Sequence, residues 1–278
     1  MTVEPFEIAP GVPIGGSKLP IVAGPCVIES ASQVLELADR ITEMQQRLET
    51  PFIFKASFDK ANRSSLDSYR GPGLEAGLEV LAEVSAKTGL PTLTDVHDPS
   101  QCGPVAEVCD CLQVPAFLCR QTDLILAAAA TGKSVNLKKG QFMAPDDMRR
   151  VVDKARSTGN TRISVTERGF SFGYHNLVVD MRSFAIMHSD DIPVIYDVTH
   201  SLQLPGGAEQ TGGARHFAEP LARAAVAAGA DGLYIEIHRD PDKALSDHTT
   251  QLDPSRGEAL LESVLRIHQT LPRKEDKN

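Results

Sequence analysis

The chain has 278 residues, 41% hydrophobic and 23% charged, a balance that excludes disorder, a fibrous repeat or a coiled coil as its overall description. Thirty-seven acidic against 28 basic residues leave a net charge of −9, and no run of Lys and Arg exceeds two, which argues against nucleic acid as a partner. The apolar run Leu124 to Ala130 falls far short of the roughly 20 residues that span a bilayer, and Glu4 and Glu7 stand where a basic leader would be, so no membrane partner and a cytoplasmic setting are expected.

Taken in chain order, residues 3–17 come first, punctuated by Pro10-Gly11, and are expected to form a small hairpin or a plug under the remainder. Eight short β-branched or apolar runs follow, at 21–26, 52–57, 91–96, 110–114, 134–138, 161–166, 192–198 and 232–238. They are near-continuous rather than alternating, as in strands buried on both faces. Amphipathic stretches fill the gaps. Between 31 and 48, Val34, Leu35, Ala38, Ile41 and Leu48 keep a helical period. Asp98-Pro99-Ser100-Gln101 reads as a helix cap with Pro at the first turn and a capping-box Gln, and Asp253-Pro254 opens the last helix in the same way. Gly89, Gly132, Gly159 and Gly229 stand where helices should stop.

Strand and helix alternating eight times predict an α/β protein with a (β/α)₈ TIM barrel as one domain over residues 1–278, carrying a short N-terminal hairpin extension. An open doubly wound sheet is the alternative; no glycine-rich dinucleotide fingerprint follows the first strand to support it. Aromatic residues are few, 10 Phe and 4 Tyr without Trp, so an aliphatic interior is expected. The tail 273–278 is charged and expected to fray.

In such a barrel the chemistry sits where strands end. Here the ends carry Cys26 and Glu29; Lys55, Ser57, Lys60, Asn62, Arg63 and Ser64; Asp95 and His97; Gln113; Asn136, Lys138 and Lys139; Glu167 and Arg168; Asp197 and His200; Glu236 and His238. Lys55, Lys60, Arg63, Lys138 and Arg168 gather five cations at one mouth of an acidic protein. That pattern suits a substrate with several negative charges, Arg forking onto phosphate oxygens and Lys acting as a point charge. The loop 60–73 is polar and ends in Gly-Pro-Gly, and 199–214 contains Gly206, Gly207, Gly212 and Gly213; the latter is read as a mobile lid bearing His200.

Cys26, His200, Glu236 and Asp247 lie on the first, seventh and eighth strands and the loop after the eighth, which are neighbours once a barrel closes. Thiolate, imidazole and carboxylate suit a borderline divalent metal; a buried structural Cys26 is the competing reading. Cys102, Cys109, Cys111 and Cys119 lack metal spacing and read as buried structural thiols. His188 and His268 read as surface histidines on helices, and His216 as a satisfied or solvent-facing residue at a helix start.

Gly24-Pro25-Cys26 with Glu29, the run Lys60 to Ser65 (KANRSS), Thr94-Asp95-Val96-His97, Gln113 to Phe117 (QVPAF), Asp197 to Gln203 (DVTHSLQ) and Ser246-Asp247 resemble the 3-deoxy-D-manno-octulosonate 8-phosphate synthases, over roughly residues 18 to 255. The resemblance implies a transferase that condenses phosphoenolpyruvate with D-arabinose 5-phosphate and water, feeding lipopolysaccharide synthesis. It implies that Lys60, Lys138 and Arg168 hold the phosphate and carboxylate of phosphoenolpyruvate, with Gln113, Pro115 and Ala116 lining its site, and that Gln203 is among the substrate-binding residues. Asn62 and Asp95 would bind arabinose hydroxyls, and Arg63 and Ser64 the sugar phosphate. Lys55, Lys60 and His200 would stand at the reacting centre. The resemblance further implies a homotetramer whose loop after the fourth strand, with Phe117, reaches a neighbour's site. It also implies the metal-dependent class, marked by Cys where the other class has Asn, with zinc, iron(II) or manganese held by Cys26, His200, Glu236 and Asp247. Two other readings remain open here: a sibling 3-deoxy-D-arabino-heptulosonate 7-phosphate synthase, against which Asn62 argues, and a non-catalytic sugar-phosphate-binding barrel.

Overall fold

The computed structural model describes residues 3–62, 65–206 and 212–272. Arg63, Ser64, Gly207 and the tail 273–278 lie outside the described residues.

The chain opens with an antiparallel pair, β1 (Phe6–Ala9) and β2 (Val12–Ile14), turning at Gly11 with φ +71°. Then β3 (Ile21–Gly24), α1 (Ala31–Leu48), β4 (Phe52–Lys55), α2 (Leu74–Thr88), β5 (Thr92–Asp95), α3 (Pro99–Val108), β6 (Cys111–Val114) and α4 (Thr122–Ala130) alternate. They are followed by β7 (Ser134–Lys138), α5 (Met148–Arg156) and β8 (Ile163–Glu167), and by a two-stranded ribbon of β9 (Phe170–Ser171) and β10 (Leu177–Val178). The remainder is α6 (Arg182–His188), β11 (Val194–Asp197), the short strands β12 (Gln203–Leu204) and β13 (Gly212–Gly213), α7 (Ala218–Ala227), β14 (Gly232–Glu236) and α8 (Pro254–Thr270). The order β11-β14-β3-β4-β5-β6-β7-β8 closes into a parallel barrel, so each of the eight predicted strands is a stave.

The caps form as the sequence suggested. Asp98 and Gln101 make a reciprocal capping box at the start of α3, and Asp253 accepts from Arg256 N at 3.1 Å to open α8. Gly89 ends α2 at φ +72°, a left-handed position that a side chain resists.

Continuous apolar runs are explained by burial on both faces. Ile21, Ala23, Phe52 and Phe54 face outward into the main core with the helices. Val22, Ile53, Leu93, Cys111, Ile195 and Tyr234 face the barrel axis and meet Ile8, Ala9, Val12 and Ile14 of the hairpin. The hairpin is therefore also the plug. The core is mostly aliphatic, with Phe52, Phe54, Phe184 and Tyr196 among its few large rings. Among the described residues, no helix is long and apolar enough to cross a membrane.

Two expectations change. His188 is not a surface residue: it is buried, with Nε2 2.7 Å from Asp231 Oδ2, a carboxylate that also accepts from Val194 N at 2.8 Å. Only tertiary packing supplies that partner. Within 199–214, Gly212 and Gly213 do not act as loose hinges. They pair with Gln203 and Leu204, and a Cβ on Gly213 would stand 2.4 Å from Thr250 Cγ2, so glycine is needed for close approach. The four thiols Cys102, Cys109, Cys111 and Cys119 are free and buried as expected, and burial pushes the Cys109 thiol up to about 12.

Ile14 is fully buried at the plug. Ile14→Ala is expected to cost about 2–5 kcal/mol of stability by urea unfolding, and a change below about 1 kcal/mol would show the plug to be dispensable.

Candidate active site at the barrel mouth

A cavity of about 280 Å³ opens at the C-terminal ends of the strands. Lys60, Asn62, Asp95, Gln113, Pro115, Ala116 and Phe117 line one side of it, and Lys138, Arg168, His200, Gln203 and Asp247 the other. Twelve of the expected site residues are thus brought around one cavity. Lys55, Cys26 and Glu236 are buried beneath it, and Arg63 and Ser64 lie outside the described residues.

The buried cations are each tied to an acceptor. Lys138 Nζ stands 2.5 Å from Asp197 Oδ2 at the end of β11. The same carboxylate lies 2.9 Å from His200 Nδ1 and accepts from His200 N at 2.9 Å through its other oxygen. Burial alone would raise Asp197, but His200 and Lys138 beside it hold its carboxyl well below the usual carboxylate range. Burial lowers Lys138 despite this partner. Arg168 Nη2 donates to Gln203 Oε1 at 2.5 Å and to His200 O at 3.1 Å, and Gln203 Nε2 donates to Asp247 Oδ1 at 2.7 Å. A chain of hydrogen bonds therefore runs from the Arg168 guanidinium to the Asp247 carboxylate.

Across the mouth, Asp95 accepts from Ser57 Oγ at 2.5 Å and from Gln113 Nε2, and Lys60 Nζ lies 3.9 Å away. Gln113 in turn accepts from Asn136 Nδ2 at 2.9 Å, and Asn136 from Thr166 Oγ1 at 2.8 Å. This network fixes the amide of Gln113 and leaves Lys60 facing the cavity. Burial works to raise Asp95, yet Lys60 and then Lys55 hold it below its ordinary value.

Cys26, Glu236 and Asp247 offer donor atoms within 4.8 Å of one another. Cys26 Sγ lies 3.1 Å from Asp247 Oδ2. His200 Nε2 is 3.5 Å from Glu236 Oε1 and 3.9 Å from Asp247 Oδ2. Asp247 adopts left-handed backbone, φ +46°, a conformation Asp tolerates better than most residues. Burial first, and the Glu236 carboxylate second, push the Cys26 thiol up. Its thiolate form therefore calls for a cation at hand. Glu236 Oε2 is buried and has no hydrogen-bond partner among the described residues. A buried acceptor without a donor, next to a thiol, an imidazole and a second carboxylate, fits a divalent metal. The link from His200 Nδ1 to Asp197 leaves Nε2 to face Glu236 and Asp247.

The profile of the DAHP synthetase I family matches residues 5–271. Three relatives named 2-dehydro-3-deoxyphosphooctonate aldolase are similar over nearly their whole length. That of Desulfatibacillum aliphaticivorans is 54% identical over 264 residues, 94% of this chain and 97% of the relative. That of Koribacter versatilis is 52% identical over 273 residues, 97% and 98% of the two chains. That of Methylococcus capsulatus is 54% identical over 272 residues, 97% and 96%. The chain belongs to the 2-dehydro-3-deoxyphosphooctonate aldolase family, within the DAHP synthetase I family. The names of these relatives favour the octulosonate resemblance over its heptulosonate sibling.

The site of this aldolase-family chain also contains residues that sequence reasoning did not assign. Asp197, His97 and Ser246 sat inside the quoted motifs without roles; Ser246 Oγ lies 3.0 Å from Cys26 Sγ, and His97 lines the cavity. Tyr234 and Gln141 also line it, and no sequence signal marks either.

An unfolded Asp titrates near about 3.9, above the folded value of Asp95. Its charged form therefore adds stability above that pH, and the contribution drains as pH falls toward the folded value. Asp95→Asn is expected to flatten the loss of urea-derived stability between about pH 5 and pH 3. A slope equal to that of the wild type would contradict the stated role of Lys60.

Proposed function

We propose that the chain condenses phosphoenolpyruvate with D-arabinose 5-phosphate and water to give 3-deoxy-D-manno-octulosonate 8-phosphate and inorganic phosphate, for lipopolysaccharide synthesis. The observation that carries the reading is Lys60, Lys138 and Arg168 lining one cavity beside the Cys26, Glu236 and Asp247 donor group, with His200 Nε2 3.5 Å from Glu236 Oε1. The phosphate and carboxylate of phosphoenolpyruvate match those cations, and a non-catalytic sugar-phosphate binder has no use for the donor set.

In this reading, Lys138, Arg168 and Lys60 take the phosphate and carboxylate of phosphoenolpyruvate, over a floor of Gln113, Pro115 and Ala116. Asn62 and Asp95 bond the arabinose hydroxyls, Arg63 and Ser64 take the sugar phosphate, and Phe117 borders the site. Gln203 keeps the guanidinium of Arg168 oriented. Held in this way, C3 of the enol forms its bond to the aldehyde carbon while water adds at C2; loss of phosphate from C2 leaves the keto acid. Lys55 donates at 2.8 Å to both Glu236 Oε1 and the Cys26 carbonyl, so its part is to hold those two groups in place.

The chain is of the metal-dependent class, with Cys26, His200, Glu236 and Asp247 as the ligands and zinc, iron(II) or manganese as the ion. When bound, a divalent ion supplies Lewis acidity or a positioning template there. Asp197 keeps His200 in the ligating tautomer, and Gln203 holds Asp247 toward Cys26.

Exposed aromatic residues on the loops after β6, β7 and β8 support the homotetramer: Phe117, Phe142, Phe170, Phe172 and Tyr174 are all open to solvent in the single chain. Light scattering should give the mass of four chains, and a fully active monomer would overturn this assembly.

The decisive assay is phosphate release on mixing phosphoenolpyruvate with arabinose 5-phosphate. The untreated protein should turn over, the chelated protein should not, and divalent ions should restore it. Arg168→Ala should lose at least about tenfold in kcat/KM, as expected for a charge-assisted contact of about 1.5–3 kcal/mol. Full turnover by protein shown metal-free by elemental analysis would refute the metal assignment, and no turnover in any state would refute the reaction.

A further inference from the structure

We propose that the aromatic face of Tyr234 is a positioning surface that seats the Lys138 ammonium for its anionic substrate. The inference rests on the proposed reading of Lys138 as a ligand of phosphoenolpyruvate. Tyr234 lies on β14 with its side chain toward the barrel axis and is 1% exposed. Lys138 Nζ sits 3.4 Å from the centroid of its ring, and Lys55 Nζ lies 5.6 Å from the same centroid. Both distances fall within cation–π range.

The ring is held from two directions. Below, it belongs to the apolar cluster of Ile8 and Ile14 from the plug. At its edge, the hydroxyl donates to Glu236 Oε1 at 3.3 Å. It is therefore a fixed floor, and Lys138 rests on it while Asp197 holds the ammonium from one side. The cavity, which Lys138 and Tyr234 both line, takes the remaining side.

The chemistry explains why a ring stands here. A buried ammonium loses its water and needs compensation. A second carboxylate would compensate it but would repel the incoming phosphate and carboxylate. A quadrupole stabilises the cation without adding a net negative charge, so Lys138 keeps attraction to spare for the substrate. Lys55, the second lysine near the ring, opposes Lys138 through its like charge.

The test uses metal-replete protein, with phosphoenolpyruvate affinity read by calorimetry alongside KM and kcat. Tyr234→Phe keeps the ring and should stay within about threefold of the wild type. Tyr234→Leu removes it and should raise Kd and KM for phosphoenolpyruvate by about tenfold. Phe bearing one, two and three ring fluorines at position 234 keeps nearly the same volume while weakening the quadrupole. Kd should climb with each fluorine, which a merely structural role would not produce. A flat fluorine series, or a Tyr234→Leu protein whose Vmax falls while Kd and KM stay put, overturns the inference alone. A wild type that binds no phosphoenolpyruvate overturns the proposed reaction together with it.

Discussion

A carboxylate shut away from solvent, Asp197, joins the two halves of the site. It is fully buried and shares its charge between the Lys138 ammonium and the His200 imidazole. Burying an ion costs several kcal/mol unless partners replace its water. Asp197 has them, since Thr199 N, Thr199 Oγ1 and His200 N also donate to it, at 3.2, 3.2 and 2.9 Å. The end of β11 and the turn after it are consequently fixed with respect to β7. Lys138 and His200 therefore cannot be placed independently.

The remaining cations obey the same constraint. An acidic chain that places Lys55, Lys60, Lys138 and Arg168 in or under one mouth must give each a local acceptor. Lys55 has Glu236, Lys60 has Asp95 nearby, and Arg168 has Gln203 and a backbone carbonyl. Outside the mouth, Lys139 is buried against Glu167 at 3.3 Å, and its Nζ donates to the carbonyls of Gly140, Met143 and Gly169, pinning the loops after β7 and β8. The barrel makes such density affordable, because its interior side chains come from neighbouring staves at matching heights. The hairpin plug closes the far end, so the polar network at the mouth rests on a dry apolar layer.

Much of this was legible in the sequence, for physical reasons. Doubly buried strands write themselves as unbroken apolar runs, and caps such as Asp98 with Gln101 are local. The convergence of Cys26, Glu236 and Asp247 follows from closure, since β14 pairs with β3. What stayed hidden depends on contacts far apart in the chain. Tyr234, inside the run GLYIEIH, is indistinguishable from core until Lys138 is found on its ring. His188 seemed a helix-surface residue because its partner, Asp231, lies 43 positions away. Gly212 and Gly213 read as freedom, whereas the Thr249–Thr250 segment packs against the backbone there. Lys55 was expected at the reacting centre; its burial beneath the cavity, with Glu236 as partner, was not legible.

The claim that one buried carboxylate governs both halves of the site is open to a direct measurement. Asp197→Asn, titrated by calorimetry with phosphoenolpyruvate and separately with a divalent ion, should lose affinity for both. The ion should be bound about 10–100-fold more weakly, as for other lost partners of a ligating histidine. Phosphoenolpyruvate should weaken in parallel, because Lys138 loses its charged anchor. Unchanged affinity for either ligand in a folded variant would contradict the account.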